Sequence, residues 1–359
     1  MRSLYNFFYY LLKKIKSKVN NNLVKFLVKY KLFNLLSILF IFSLKKIRGT
    51  RAKKKIKFKI IVLAKSGGVE DLVSSQKKYN KDILYLNCPR KFIFNIYLKV
   101  FNLNHGDEIK HLSEKEINNA KIKYENFLIK FLQNLKKFYK YDAFIGFNYE
   151  YEAEEDLHKA CSKLNIPFLV IYKESVLTEL ENKYRIHSLK KKKNKFSGYK
   201  LALYSENAKN IHIRSNFIEK KNVEVVGCSR LSETFSYRKI KPKNQILYYV
   251  IENYRGLPNR FVNQFGNKMF QDLKIHKKYD PKFNWKLLHT KTIKTLKKFA
   301  KYNPEVSIIF KIKTGQSINH KEYYDLPENI KLQFYGSGHE LIKESKIIIG
   351  WNSTALLEG

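Results

Sequence analysis

Near the end of the chain an apolar run, Ile347-Ile348-Ile349-Gly350, passes into Trp351-Asn352-Ser353-Thr354 and then into the helix-forming Ala355-Leu356-Leu357-Glu358. Ser and Thr at a strand-to-helix turn satisfy some of the free backbone N–H groups and leave others directed at an anion. Such a turn suits a nucleotide diphosphate, or it serves only as an N-cap. Ser66-Gly67-Gly68 opens a second loop between an apolar run and a helix-like stretch. It does not match the GxGxxG fingerprint, and Gly-Gly between a strand and a helix is commonly just a turn. Asp71, Glu150, Glu152 and Glu174 stand near strand ends, where a carboxylate can take a proton from a hydroxyl. Glu174 is favoured as the base because it closely follows the buried run Phe168 to Ile171. Cys88, Cys161 and Cys228 are far apart, with no CxxC or metal-ligand spacing, so no metal site is expected and the compartment reads as reducing.

Positioning these residues requires alternating strands and helices. From Phe58 onward, short β-branched or aromatic runs alternate with polar, helix-like stretches, the pattern of βα units. The predicted strands are Phe58 to Leu63, Ile83 to Leu86, Ala143 to Phe147, Phe168 to Ile171, Leu201 to Tyr204 and Val223 to Val226. A second series follows the polar stretch Arg238 to Asn244: Ile246 to Ile251, Val306 to Ile312, Leu332 to Tyr335 and Ile347 to Gly350. Predicted helices include Leu112 to Tyr139, Glu152 to Leu164 and Trp285 to Tyr302, and crossovers of this length favour parallel neighbours. The Lys-rich stretch Lys190 to Lys195 is expected to be a surface loop.

The first 54 residues differ. Leu4, Phe7, Phe8, Leu11, Leu12, Ile15 and Val19 recur at helical spacing among lysines, which predicts a basic amphipathic helix. A second apolar run, Leu32 to Leu44, is too short to span a bilayer and is followed by Lys and Arg where a signal-peptide cleavage site should be. The expectation is an interfacial anchor on an anionic membrane surface; the alternative is a helical hairpin packed on the globular part. The formal net charge of +40 is carried mainly by Lys, in a composition also rich in Asn, Ile, Phe and Tyr. AT-rich coding produces that set by default, and no zinc finger, RNA-recognition motif or basic-region heptad is present, so nucleic acid is not an expected partner.

Four segments in order, Ala143 to Tyr151, Val226 to Leu231, Phe310 to Lys313 and Ile349 to Glu358, resemble bacterial surface-carbohydrate and capsule biosynthesis proteins of the GT-B glycosyltransferase superfamily. That group includes the CDP-glycerol glycerophosphotransferases. The resemblance implies an α/β fold of two Rossmann-like domains, residues 55–237 on the acceptor side and 245–359 on the donor side, joined by a linker at 238–244 and preceded by the N-terminal helices. It implies a nucleotide-activated donor, CDP- or UDP-linked, and a polysaccharide or lipid-linked acceptor, with no other cofactor. Carried onto this sequence, Asn352, Ser353 and Thr354 hold the donor phosphates and Glu358 meets the donor ribose or base. Lys311 and Lys313 occupy the strand end where family members often carry a basic residue or His near the phosphates; no His-Pro follows that strand here, so the basic role falls to Lys313 or is absent. Arg230, next to the turn at Gly227 at the domain junction, either meets the donor or pins the hinge, or else forms a structural interdomain salt bridge. Ser66, Gly67 and Gly68 form the acceptor-side loop, and Glu174 acts as base.

The family continues beyond the point where this sequence stops, at Gly359, so an incomplete donor domain with impaired catalysis is expected. The implied activity is a membrane-associated transferase on the cytoplasmic face of the inner membrane. A nucleotide-sugar epimerase of related fold, or a non-catalytic basic membrane- or nucleic-acid-binding protein, are the alternatives.

Overall fold

A computed structural model describes residues 21–50, 56–65, 68–78, 82–172, 179–192, 194–231, 241–250, 285–312, 321–335, 338–351 and 356. The chain divides into two compact units, Met1–Arg230 and Leu231–Gly359.

In the first unit, strands β2 (Phe58–Leu63), β3 (Ile83–Cys88), β4 (Ala143–Gly146), β5 (Phe168–Tyr172), β6 (Lys200–Leu203) and β7 (Val223–Val225) are parallel, and β1 (Lys45–Lys46) pairs antiparallel with β3. The sheet order is β1-β3-β2-β4-β5-β6-β7. The chain thus adds β3 on one side of β2 and then returns to add β4 on the other. Both faces of the sheet are covered, which is why its strands read as continuous apolar runs. Ile61, Leu63 and Phe144 enter one core, whereas the intervening Val62 and Ile145 enter the opposite one. The smaller core lies against α3 (Gly68–Lys78) through Leu72.

Helices α4 (Arg90–Val100), α5 (Glu114–Phe138), α6 (Glu152–Lys163), α7 (Glu179–Lys191) and α8 (Glu206–Arg214) complete the βα units. Ser113 and Glu116 form a capping box at the start of α5, and Lys136 and Lys137 sit in its last turn, against the negative end of the helix dipole. Tyr124, Phe127, Leu128, Phe131, Leu132 and Leu135 recur every three or four residues and make its buried stripe.

The N-terminal residues that the structure describes form the hairpin α1 (Asn21–Lys29) and α2 (Phe33–Ser43). Its turn places Lys31 in the left-handed region, at φ 54°. Helix α1 packs on α4 and α2 on α5. Leu36 and Phe40 are 0% exposed, and the Phe40 ring meets Phe92 and Phe131 edge-on at 5.1 and 5.4 Å. Within the apolar run Leu32 to Leu44, Leu36, Ser37, Leu39, Phe40 and Ser43 are buried, the packing expected of the alternative, a helical hairpin on the globular part. The run's apolarity on several sides reflects contact with several partners. No helix among the described residues is long and apolar enough to cross a membrane. The expected basic loop at Lys190 is also revised at its start, because α7 continues through Lys191.

In the second unit, β8 (Lys243–Tyr249), β9 (Ser307–Lys311), β10 (Ile330–Gln333) and β11 (Ser345–Gly350) are parallel, in the order β10-β9-β8-β11. Here too the direction of strand addition reverses, between β8 and β11. Helix α9 (Trp285–Tyr302) buries Ile293, Leu296 and Ala300 against Tyr248, Ile308 and Phe310. The Asn329 amide donates to the carbonyls of Ala300, Asn303 and Val306 at 3.1, 3.0 and 2.9 Å, satisfying acceptors at and beyond the end of α9 and tying them to β10. Helix α10 (Gly338–Glu344) leads into β11.

Candidate functional site

Open α/β sheets bind ligands beyond the carboxyl ends of their strands, where the direction of strand addition reverses. In the first unit that point lies between β2 and β4, and a cavity of about 460 Å³ opens there. Leu63, the last residue of β2, forms part of its wall; α4 contributes Arg90, Phe94 and Tyr97, and the segment Glu150 to Glu154 closes the other side. The site is therefore assembled at the starts of α4 and α6.

Three carboxylates border it, each held differently. Glu150 accepts a two-pronged contact from the Arg185 guanidinium, at 3.0 and 2.9 Å, and a 3.3 Å bond from the Tyr172 hydroxyl. Glu154 accepts from Arg90 Nε at 2.7 Å; burial raises its carboxyl pKa, and the Arg90 charge pulls in the opposite direction. Glu152 is exposed and accepts from the Tyr97 hydroxyl at 2.8 Å. Burial, and then Glu152 itself, push the Tyr97 phenol upward, so it remains a donor. The Arg90 guanidinium lies 4.2 Å from the Tyr151 ring centroid, and Lys65 donates to the Tyr151 hydroxyl. Phe94 is 40% exposed and stacks on Tyr97 at 6.1 Å and 16°. Gly106 lets it lie there, since a Cβ would sit 3.0 Å from the Phe94 ring.

No protein-family model and no curated protein matches the sequence. Among solved structures, the chain is similar to a UDP-N-acetylglucosamine 2-epimerase from Rickettsia bellii, with 13% identity, a TM-score of 0.43, and coverage of 85% of this chain and 76% of that one. It is similar to MurG of Acinetobacter baumannii, with 15% identity, a TM-score of 0.35, and coverage of 82% and 72%. A trehalose-6-phosphate synthase gives 9% identity, a TM-score of 0.37, and coverage of 81% and 76%. At this level of likeness, any functional conclusion must come from the chain's own residues.

Of the residues singled out in the sequence, Glu174, Lys313, Asn352, Ser353, Thr354, Glu358, Ser66 and Gly67 lie outside the described residues. Gly68 begins α3 with its Cα against the Phe147 ring, which a Cβ would overlap, so packing accounts for the glycine. Arg230 is engaged in a salt bridge, but within one unit and not between the two domains as the interdomain alternative had it. Its backbone N–H and Nη1 both donate to the Asp71 carboxylate at 3.1 Å, and the two side chains are 11% and 4% exposed. Tyr204 also donates to Asp71, while Ser74 Oγ donates to the Ser229 carbonyl at 2.8 Å. Both partners of the ion pair belong to the first unit, and Asp71 is thereby committed to structure.

In the second unit, β11 ends at Gly350 beside β8; Asn352, Ser353 and Thr354 come next in the sequence, outside the described residues. Lys311 ends the next strand over, donating to the carbonyls of Ile312 and Phe334 at 3.2 and 3.4 Å, and partial burial lowers its pKa. Sequence reasoning weighed Glu150 and Glu152 but missed Arg90, Phe94 and Tyr97. All three lie on α4, a stretch that carries no motif of its own in the sequence.

Proposed function

We propose that this protein is a transferase that moves a sugar or polyol phosphate from a CDP- or UDP-linked donor onto a growing surface polysaccharide or lipid-linked acceptor. The observation that carries this reading is the acidic first turn of α6, where Glu152, Glu154 and Glu155 occupy the helix end that would otherwise attract phosphate. The first unit's cavity consequently suits an uncharged, hydroxyl-bearing partner. The corresponding point of the second unit runs into uncharged Asn352-Ser353-Thr354, with Lys311 nearby in the sheet, a setting compatible with a diphosphate.

The test is thermal unfolding in a panel of CDP, UDP, CDP-glycerol and UDP-sugars. A donor at 100 times its Kd is expected to stabilise the fold by about 2.7 kcal/mol. The variant Ser353→Ala/Thr354→Ala should lose that response while costing at most about 2 kcal/mol per cap residue in the free protein. No shift with any of these compounds would rule the reading out.

The proposed setting is the inner face of the cytoplasmic membrane, reached through residues 1–20. Their Phe and Leu positions are followed by the cluster Lys13, Lys14, Lys16 and Lys18, whereas part of the later apolar run is already buried in the core. A chain lacking residues 1–20 should float poorly with phosphatidylglycerol vesicles. The intact chain should bind less as salt rises but retain an apolar remainder. Equal flotation of the two chains would remove the membrane from the proposal.

A further inference from the structure

We propose that the cavity of the first unit is a binding site for a neutral sugar ring, with the ring's apolar face laid on Phe94 and a ring hydroxyl donating to Glu152. This inference rests on the reading that the first unit takes the hydroxyl-bearing partner, and it names that partner's chemistry and its contacts.

Charge selects the class of ligand. Glu150 is matched by Arg185 and Glu154 by Arg90, so two of the three carboxylates at the cavity are already neutralised by cations. Glu152 is held by a phenol, which occupies Oε2 and leaves the carboxylate charge uncompensated by any cation pair among the described residues. A phosphate placed here would meet the Glu152 charge. A cation would meet Lys91, which also borders the cavity. A neutral hydroxyl meets neither obstacle and can donate to Glu152.

Shape and polarity select the ring. Sugars present a face of C–H groups with hydroxyls at the edge, and sites for such amphipathic ligands pair an apolar surface with a few convergent polar groups. Phe94 provides a flat, partly exposed surface fixed by Tyr97 beneath and Gly106 behind, with Leu63 and Ile93 continuing the apolar wall. The volume of about 460 Å³ lies in the lower part of the ~300–1,000 Å³ range of small-molecule sites, enough for a mono- or disaccharide. Tyr97 has two tasks in this arrangement. It supports the ring of Phe94 and orients Glu152, which makes it a positioning residue.

The experiment is saturation-transfer NMR on the full chain with N-acetylglucosamine, methyl glucoside and maltose as neutral probes and glucose 6-phosphate as the charged one. At least one neutral probe should bind and glucose 6-phosphate should bind at least tenfold more weakly. Phe94→Ala should weaken neutral binding at least tenfold, and Glu152→Gln should narrow the discrimination against the phosphorylated probe. Both positions are exposed, so the melting temperatures should stay close to the parent's, and a melting curve on each variant checks this. Absence of neutral-sugar binding, binding undiminished by Phe94→Ala in a folded variant, or equal affinity for glucose 6-phosphate would each overturn the proposal. Nucleotide-induced stabilisation measured on the same variants separates the two readings. Stabilisation by nucleotides without sugar binding defeats this inference alone, and sugar binding without any nucleotide response defeats the donor assignment alone.

Discussion

Arg230→Ala should lower the stability of the first unit by about 3–5 kcal/mol, because it leaves the Asp71 carboxylate, 4% exposed, without its cation. Tyr204 and Cys228 would still donate to Asp71, but neither is charged. The loss should appear as a lower urea midpoint with an unchanged slope. The double variant Asp71→Asn/Arg230→Ala should recover part of it, since the remaining amide carries no charge to desolvate. Stabilisation by a donor nucleotide, measured at equal fraction folded, should be the same in the parent and in Arg230→Ala. A cost below about 1 kcal/mol would place this pair with ordinary surface ion pairs.

Stability should also fall steeply as pH drops below 6.5, through two buried histidines. Burial lowers the pKa of His158 to about 3 and that of His212 to about 4, from an ordinary value of 6.5. His158 lies between the rings of Phe168 and Phe196 at 4.1 and 5.9 Å, and His212 Nε2 accepts from the Tyr149 hydroxyl at 2.7 Å while Nδ1 donates to the Ala208 carbonyl. The folded state holds both rings neutral. Below pH 6.5 the unfolded chain takes up protons that the folded chain refuses, so each histidine removes about 1.4 kcal/mol per pH unit until its folded pKa is reached. At pH 5 the combined loss relative to pH 8 is about 4 kcal/mol. Glu154 and Asp156, whose carboxyl pKa values burial raises, act in the opposite sense as pH falls further. Urea midpoints at pH 8 and pH 5 check the slope. His158→Leu should remove about half of the loss. A variant that keeps the full pH dependence would show that His158 is protonated in the fold.

The strands were legible because a parallel sheet covered on both faces needs uninterrupted β-branched and aromatic runs. Phe58 to Leu63 matches β2 end to end, and Phe168 to Ile171 falls one residue short of β5. The two-residue β1 carries no such signal, since Lys45 and Lys46 have no apolar pattern to display. Helix α2 was visible as an apolar segment, but its partners Phe92 and Phe131 lie on helices far along the chain, so sequence left open whether it met lipid or protein. Among the four carboxylates considered as a base, composition could not separate those tied by a distant arginine, Asp71 and Glu150, from Glu152, which borders the cavity without one. Arg230, 159 residues from Asp71, and Arg185, 35 residues from Glu150, settle two of them only after folding. Glu174, favoured from its position after β5, lies outside the described residues.

The hairpin at the start of the chain also sets an order of events during synthesis. Phe40 leaves the ribosome about ninety residues ahead of Phe131, against which its ring packs. At roughly 5–20 residues per second, that lead amounts to about 5–18 s. For that interval the run Leu32 to Leu44 has no α5 to cover it, so a nascent chain bears its greasiest segment uncovered at the moment when only a holding chaperone or a nearby bilayer can shield it.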